Sequence, residues 1–285
     1  MEIQGLRHVY SAGTPFEKVA IDNLNLDLEA QRVIGLIGHT GSGKSTLIQH
    51  LNALLKPTSG TVLFQGQDIF ATKESMRNIR FQVGLVFQYP EYQLFEETVY
   101  ADIAFGPKNQ KLSGEALDKR VREAAEFVGL DESLFQHSPL ELSGGQKRRV
   151  AIAGVLAMEP ELLILDEPSA GLDPAGREDL LQNLYHWRQA RGATILLVTH
   201  DMSAAALCDE LMVMSQGHIV LSGTPSQVFS HAETIQSLGL ELPEAAQIAL
   251  LLKKQGIPLP DSIYTTDQLR EAILALWREK GGASC

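Results

Sequence analysis

A chain of 285 residues with 44% hydrophobic and 21% charged residues holds enough apolar material for one large α/β domain plus a smaller appendage, and its composition excludes fibrous and disordered classes. The net charge of -11 argues against broad nucleic-acid binding, which rests on neutralising phosphates with Lys and Arg. Two cysteines, Cys208 inside a helical pattern and Cys285 at the last position, supply neither a disulfide framework nor a Cys-rich metal site, and no apolar run approaches the roughly eighteen residues that cross a bilayer. The expectation is a protein of the reducing cytosol that serves a membrane, if at all, from its surface.

Residues 3–9 and 19–28 alternate apolar and polar side chains around a turn with Gly13 and Pro15, which predicts a small antiparallel sheet. Tyr10 follows the first of these strands, where its ring can stack on a nucleotide base or simply stand exposed. A buried-strand run, Val33 to Ile37, leads into Gly38-His39-Thr40-Gly41-Ser42-Gly43-Lys44-Ser45-Thr46 and a helical pattern to Leu55. Glycines 38, 41 and 43 let the backbone turn its N–H groups inward, and the helix N-terminus adds a field favourable to a polyanion. Lys44 can meet β- and γ-phosphates, and the Ser45 hydroxyl can ligate the Mg²⁺ that a nucleoside triphosphate carries.

A turn at 56–60 precedes a strand at 61–64, and a strand at 83–87 ends at Gln88-Tyr89-Pro90, where the proline takes the chain out of regular structure. From about 97 to 142 the pattern is helical, with Ala116, Arg120, Ala124 and Val128 at helical spacing, so a helical subdomain is expected inside the α/β core. The core resumes at Leu142-Ser143-Gly144-Gly145-Gln146, a second glycine-rich element ahead of a helix from Lys147 to Met158. Leu162 to Leu165 reads as a buried strand ending in two adjacent carboxylates, Asp166 and Glu167, which strand alternation should aim differently.

A loop at 169–174, a helix at 175–190 and a buried strand at 193–198 follow, the last ending at Thr199-His200-Asp201. The polar candidates thus stand at the C-terminal ends of strands, where parallel α/β sheets bind ligands. Strands at 211–214 and 218–222 close the core. Beyond Pro225 come helices with two apolar stripes, Ala245, Ile248, Ala249, Leu252 and then Leu269, Ala272, Ile273, Leu276, Trp277, which pack either locally or on a partner.

In their order along the chain, the loop at 38–45, Gln88, the Leu142 to Gln146 element, Asp166 with Glu167, and His200 resemble the motifs of ATP-binding-cassette ATPases over about residues 1–230. The complete LSGGQ run is the specific part, since other nucleotide-binding families carry the first loop without it. The resemblance implies an α/β P-loop core with an antiparallel β subdomain (residues 1–225), a helical subdomain within it at about 90–160, and a helical C-terminal domain at 226–285. ATP and Mg²⁺ are the implied cofactors. Asp166 would hold Mg²⁺ through water beside the ligands Ser45 and Gln88, Glu167 would polarise the attacking water, and His200 would position the γ-phosphate or that water.

Tyr10 occupies the position of the family's adenine-stacking aromatic, and His39, Thr40, Ser42 and Thr46 belong with the phosphate loop. Cassettes of this family pair head to tail. ATP then lies between the phosphate loop of one chain and Ser143, Gly144, Gly145 and Gln146 of the other.

A finer similarity rests on Gln88-Tyr89-Pro90-Glu91-Tyr92-Gln93-Leu94-Phe95, Thr98-Val99, Ile37-Gly38-His39-Thr40 and the helical tail. These look like the ATPases of energy-coupling-factor importers of vitamins or transition-metal ions, and the unbroken Pro168 to Asp173 loop resembles their A-prime type of chain. The implied partners are a second, related ATPase chain, a transmembrane coupling subunit and an exchangeable substrate-binding membrane subunit, with no nucleic acid. The implied place is the cytoplasmic face of the cell membrane, as a peripheral protein. The competing readings are an ATPase subunit of another transporter, a pure nucleotide-binding regulator without turnover, which the presence of both Glu167 and His200 disfavours, and a non-transport cassette protein. Against the last, one motif set is present and no sustained heptad run separates Lys44 from Leu142.

Overall fold

The computed structural model describes residues 1–260 and 262–279, so Cys285 and the end of the expected C-terminal domain lie outside the described residues. The chain opens with β1 (Glu2–Tyr10), β2 (Lys18–Asp27), β3 (Val33–Ile37), α1 (Lys44–Leu51), β4 (Ser59–Phe64) and β5 (Gln67–Asp68). It continues with α2 (Lys73–Gln82), β6 (Val83–Val86), α3 (Val99–Asn109), α4 (Gly114–Phe127) and α5 (Gly144–Leu156). Then come β7 (Leu162–Asp166), α6 (Pro174–Arg191), β8 (Thr194–Val198), α7 (Met202–Ala205), β9 (Glu210–Ser215) and β10 (His218–Gly223). The tail holds α8 (Pro225–Ser230), α9 (Ala232–Ser237), α10 (Glu244–Lys254) and α11 (Thr266–Glu279).

Among the described residues these strands make two sheets. One is antiparallel in the order β2-β1-β4-β5, and the other runs β10-β9-β3-β8-β7-β6, parallel from β9 to β6 with β10 antiparallel at its edge. The parallel strands are apolar on both faces because both faces are covered. Ile34, Leu36, Ile164, Leu196 and Val198 pack toward α1 and the antiparallel sheet, while Leu163, Leu165, Ile195 and Leu197 pack toward α3, α5 and α6. That period of two stacks the layers and brings the C-terminal ends of β3, β7 and β8 to one rim.

Several local expectations shift. Helix α1 stops at Leu51, four residues early, because Asn52 donates to the Val83 carbonyl and Ala53 turns left-handed at φ 53. Helix α2 is absent from the periodicity reading because it buries one residue, Ile79, and is held instead by Thr72, whose hydroxyl accepts from the Ser75 N–H at 3.0 Å. The helical stretch to 142 divides into α3, α4 and a looped passage, and the buried seam of α4 is Leu117, Val121, Ala124 and Ala125, with Ala116 exposed. Tyr10 is the last residue of β1, not beyond it, and Cys208 sits in the bend between α7 and β9.

In the tail, Leu269, Ala272 and Leu276 close on Ala245, Ala249, Leu259 and Ile263. Ile248, Ile273 and Trp277 from the expected stripes remain exposed, together with Leu251 and Leu274. The apolar stripe therefore divides its surface between its own domain and the outside.

Candidate functional site

The segment between β3 and α1 is packed too tightly for side chains at two of its glycines. A Cβ on Gly38 would lie 2.3 Å from the Met214 carbonyl oxygen, and one on Gly43, at φ 111, would lie 2.6 Å from that of Ala20. The loop therefore wraps close to β2 and β9, and His39 adds a tie, its Nε2 lying 3.4 Å from the Ser215 hydroxyl. Lys44 is buried, and its Nζ donates back to the carbonyls of Gly38 at 2.5 Å and His39 at 3.1 Å. Burial lowers the pKa of this ammonium, against the opposing pull of Glu167 and Asp166. The Ser42 hydroxyl is buried with no hydrogen-bond partner. A buried ammonium resting on backbone carbonyls at the start of a helix is suited to an oxyanion that the protein itself does not supply.

Facing it, β7 pairs with β8 so that Asp166 aligns with Val198. Glu167 lies beyond the strand at φ 52, its N–H donating to the Val198 carbonyl at 2.9 Å, so the left-handed turn rather than strand alternation sets its direction. Its Oε1 is buried without a hydrogen-bond partner, 3.4 Å from Nε2 of His200. Burial and the neighbouring Glu167 charge push the Asp166 carboxyl up to about 6. Burial also raises Glu167 and lowers His200 from their ordinary values.

Both acids, His200, Lys44, Ser45, Thr46, Gln88, Thr40, Gly41, Gly43 and Tyr10 line one hollow of about 450 Å³. Two carboxylates short of positive charge, beside a hydroxyl and an amide, form a hard-oxygen donor set that fits Mg²⁺. Among the described residues no three His, Cys, Asp or Glu converge into a self-sufficient metal site, so a cation here would complete its shell with phosphate and water oxygens.

The element at 142–146 is elsewhere. Ser143 caps α5 in a reciprocal box: its hydroxyl accepts from the Gln146 N–H, and Gln146 Oε1 accepts from the Ser143 N–H at 2.9 Å. The Gln146 side chain is thereby committed to its own helix. Ser143 and Gly144 are exposed, and a Cβ on Gly144 or Gly145 would meet no atom within 4 Å, leaving this helix start open to an approaching group.

Other contacts were not legible in the motifs. Arg148, 4% exposed, donates through Nε and Nη2 to Glu91 at 3.3 and 3.2 Å and through Nη1 to the Ala170 carbonyl. It thus ties α5 to the segment after Gln88 and to the loop after Glu167. Asp201 caps α7 and pairs with Arg177 at 2.7 Å, fixing the turn that carries His200. Beneath the hollow, His8 and His50 form a buried hydrogen-bonded pair. Arg148 stands two residues after Gln146, but nothing local announces Glu91, 57 positions away.

The family model described as ABC transporter matches residues 21–170, and one described as AAA domain, putative AbiEii toxin, Type IV TA system matches residues 136–206. The chain is 51% identical to the energy-coupling factor transporter ATP-binding protein EcfA2 of Clostridium tetani and 50% identical to that of Clostridium perfringens, in each case over 98% of both chains. Among solved structures it is similar to cbiO1 from Clostridium perfringens, described as part of the ABC transporter complex cbiONQ, with TM-score 0.74 and 40% identity over 88% of this chain and 98% of that one. It is also similar to a dimeric post-hydrolysis state of the ATP-binding cassette MJ0796 bound to ADP and Pi, with TM-score 0.71 and 29% identity over 79% and 98%. The chain belongs to the ABC transporter family and, within it, to the ATP-binding proteins of energy-coupling factor transporters.

Proposed function

We propose that this ATPase subunit binds Mg²⁺-ATP in the hollow between its phosphate loop and the ends of β7 and β8, and hydrolyses it only when a second ATPase chain closes over the nucleotide. The observation that carries this reading is a separation. Lys44, Ser45, Gln88, Asp166, Glu167 and His200 share one hollow, while Ser143 and Gly144 stand exposed at the start of α5 and, with the half-buried Gly145, do not line it.

Lys44 would leave the Gly38 and His39 carbonyls for the β- and γ-phosphates, with Ser42 and the loop N–H groups as further donors. Ser45, Gln88 and Asp166 would hold Mg²⁺, which when bound neutralises phosphate charge. Glu167 would take the proton of the attacking water, and His200, half exposed beside it, would orient that water or the γ-phosphate. Tyr10 would stack on the base. The ADP- and Pi-bound dimer of MJ0796 supports a paired cassette as the working form.

The remaining partners would be a transmembrane coupling subunit and an exchangeable substrate-binding subunit, met at the membrane surface. No helix among the described residues is long and apolar enough to cross a bilayer. A second cavity of about 540 Å³, lined by Arg77, Phe81, Leu94, Phe95, Asp102 and Phe105, lies beside the segment that follows Gln88 and would seat the coupling subunit. The Asp102 carboxylate accepts from the N–H groups of Phe95 and Glu96, both at 3.3 Å, and holds that segment in place.

Purification from membranes with identification of the co-purifying chains tests the whole reading: transmembrane partners are expected, and their absence would favour a soluble cassette protein. Charge reversal at Glu96 and Glu97 should weaken assembly or uncouple uptake from hydrolysis, with ATP affinity changed less than about twofold. Survival of assembly, uptake and coupling in that variant would remove the contact.

The exposed part of the tail stripe would meet the second ATPase chain and hold the pair when nucleotide is absent. Replacing both Ile273 and Trp277 by Ala, which leaves the buried Leu269 seam intact, should weaken nucleotide-free association by about tenfold or more. Light scattering checks this. Unchanged association with a lowered melting temperature would instead make the stripe a purely internal element.

A further inference from the structure

Tyr10 is held from two sides. Its hydroxyl lies 3.2 Å from the Thr46 hydroxyl, and its ring meets His8 edge to face at a centroid separation of 4.5 Å and an angle of 75°. His8 is in turn fixed by His50, with Nδ1 of His8 3.1 Å from Nε2 of His50. The other ring nitrogen of His50, Nδ1, lies 2.7 Å from the Thr46 carbonyl oxygen. The contacts form a closed circuit that begins and ends at Thr46, the residue after Ser45 of the phosphate loop.

The circuit determines its own protons. A carbonyl only accepts, so Nδ1 of His50 carries hydrogen and donates to Thr46. Nε2 of a neutral His50 is then an acceptor, and Nδ1–H of His8 donates to it. Burial favours this neutral state: His50 is 0% exposed, and desolvation lowers its pKa against the opposing pull of the Thr46 and Lys56 carbonyls. Both rings are thereby locked in tautomer and tilt, and the His8 edge against Tyr10 has a fixed direction.

We infer that His8 and His50 are positioning residues for the base, setting the Tyr10 ring in register with the phosphate loop so that one nucleotide spans both. The inference rests on the reading of Tyr10 as the stacking side chain. Its consequence is selective: the pair acts on ligands that carry a base and not on a bare polyphosphate, because Lys44 and the loop N–H groups have their own supports on Gly38, His39, β2 and β9.

Equilibrium binding of Mg²⁺-ATP and of Mg²⁺-tripolyphosphate to the purified full chain, measured by calorimetry, tests this. His50→Met, apolar and of similar volume, should weaken ATP about tenfold and tripolyphosphate less than about twofold. His50→Gln, whose amide oxygen can accept from His8, should recover ATP binding to within about threefold of the parent chain. His8→Phe keeps a ring edge against Tyr10 but drops the hydrogen bond, and should repeat the His50→Met pattern.

Parent-like ATP binding in His50→Met and His8→Phe overturns the inference, as does a loss of tripolyphosphate as large as the loss of ATP in both. Tyr10→Ala separates the inference from the reading beneath it. If Tyr10→Ala loses ATP but not tripolyphosphate while the histidine variants bind ATP normally, the positioning role alone falls. If Tyr10→Ala binds ATP as the parent does, stacking and positioning fall together.

Discussion

Replacing Glu167 by Gln is expected to lower phosphate release about 10²- to 10⁴-fold while ATP still binds. The carboxylate is suited to taking a proton on two counts. Burial raises its pKa, so the charged form is a stronger base than in water. Its Oε1 has no hydrogen-bond partner, which leaves a lone pair for a water that the site must position. Its left-handed backbone, φ 52 in a non-glycine residue, is retained at a local cost of about 1–3 kcal/mol because the Val198 carbonyl and the β7–β8 pairing hold it. Glutamine keeps the volume and loses the base. Single-turnover phosphate release, with the second ATPase chain and membrane subunits present, measures the effect; parent-like turnover would remove Glu167 from the mechanism.

Lys44→Ala acts a step earlier, and is expected to weaken ATP binding on the order of 10²- to 10³-fold. Truncating one member of a buried, hydrogen-bonded charge pair costs about 2–5 kcal/mol. Arginine should not restore binding, since a planar guanidinium does not reproduce the compact point charge of the ammonium that meets the phosphates. Equilibrium ATP binding in the presence of Mg²⁺ checks both variants. Parent-like affinity in Lys44→Ala would mean that the loop N–H groups alone hold the phosphates.

The features legible in the amino-acid order are those whose physics is contiguous. Gly38 to Thr46 is one loop and one helix start, Asp166 and Glu167 stand together at a strand end, and the parallel strands are unbroken apolar runs. Features built from distant partners are not legible that way. Arg148 finds Glu91 and Ala170 only because α5 packs across both loops, and His8 meets His50 only because β1 lies against α1. Helix α2 escapes a reading based on burial because only Ile79 is buried, and its Thr72 cap is a polar signal. The tail misleads in a different way. Its stripe is continuous on the helix, yet Leu269, Ala272 and Leu276 on one flank pack against the α10 seam while Ile273 and Trp277 on the other flank are exposed. Periodicity shows that a face is apolar and is silent about how far its partner extends.

In the proposed cycle one chain carries only half of each working site, with Ser143 to Gly145 reserved for a nucleotide on another chain. The most direct measurement is the mass in solution of the Glu167→Gln protein, mixed with the second ATPase chain, before and after Mg²⁺-ATP. The variant is expected to bind nucleotide without consuming it, so a closed pair should accumulate with ATP, and adding Lys44→Ala to the same chain should reduce it. ATP bound at full occupancy with no closed pair, and phosphate release by the parent chain that is independent of its concentration and of the second chain, would contradict the account.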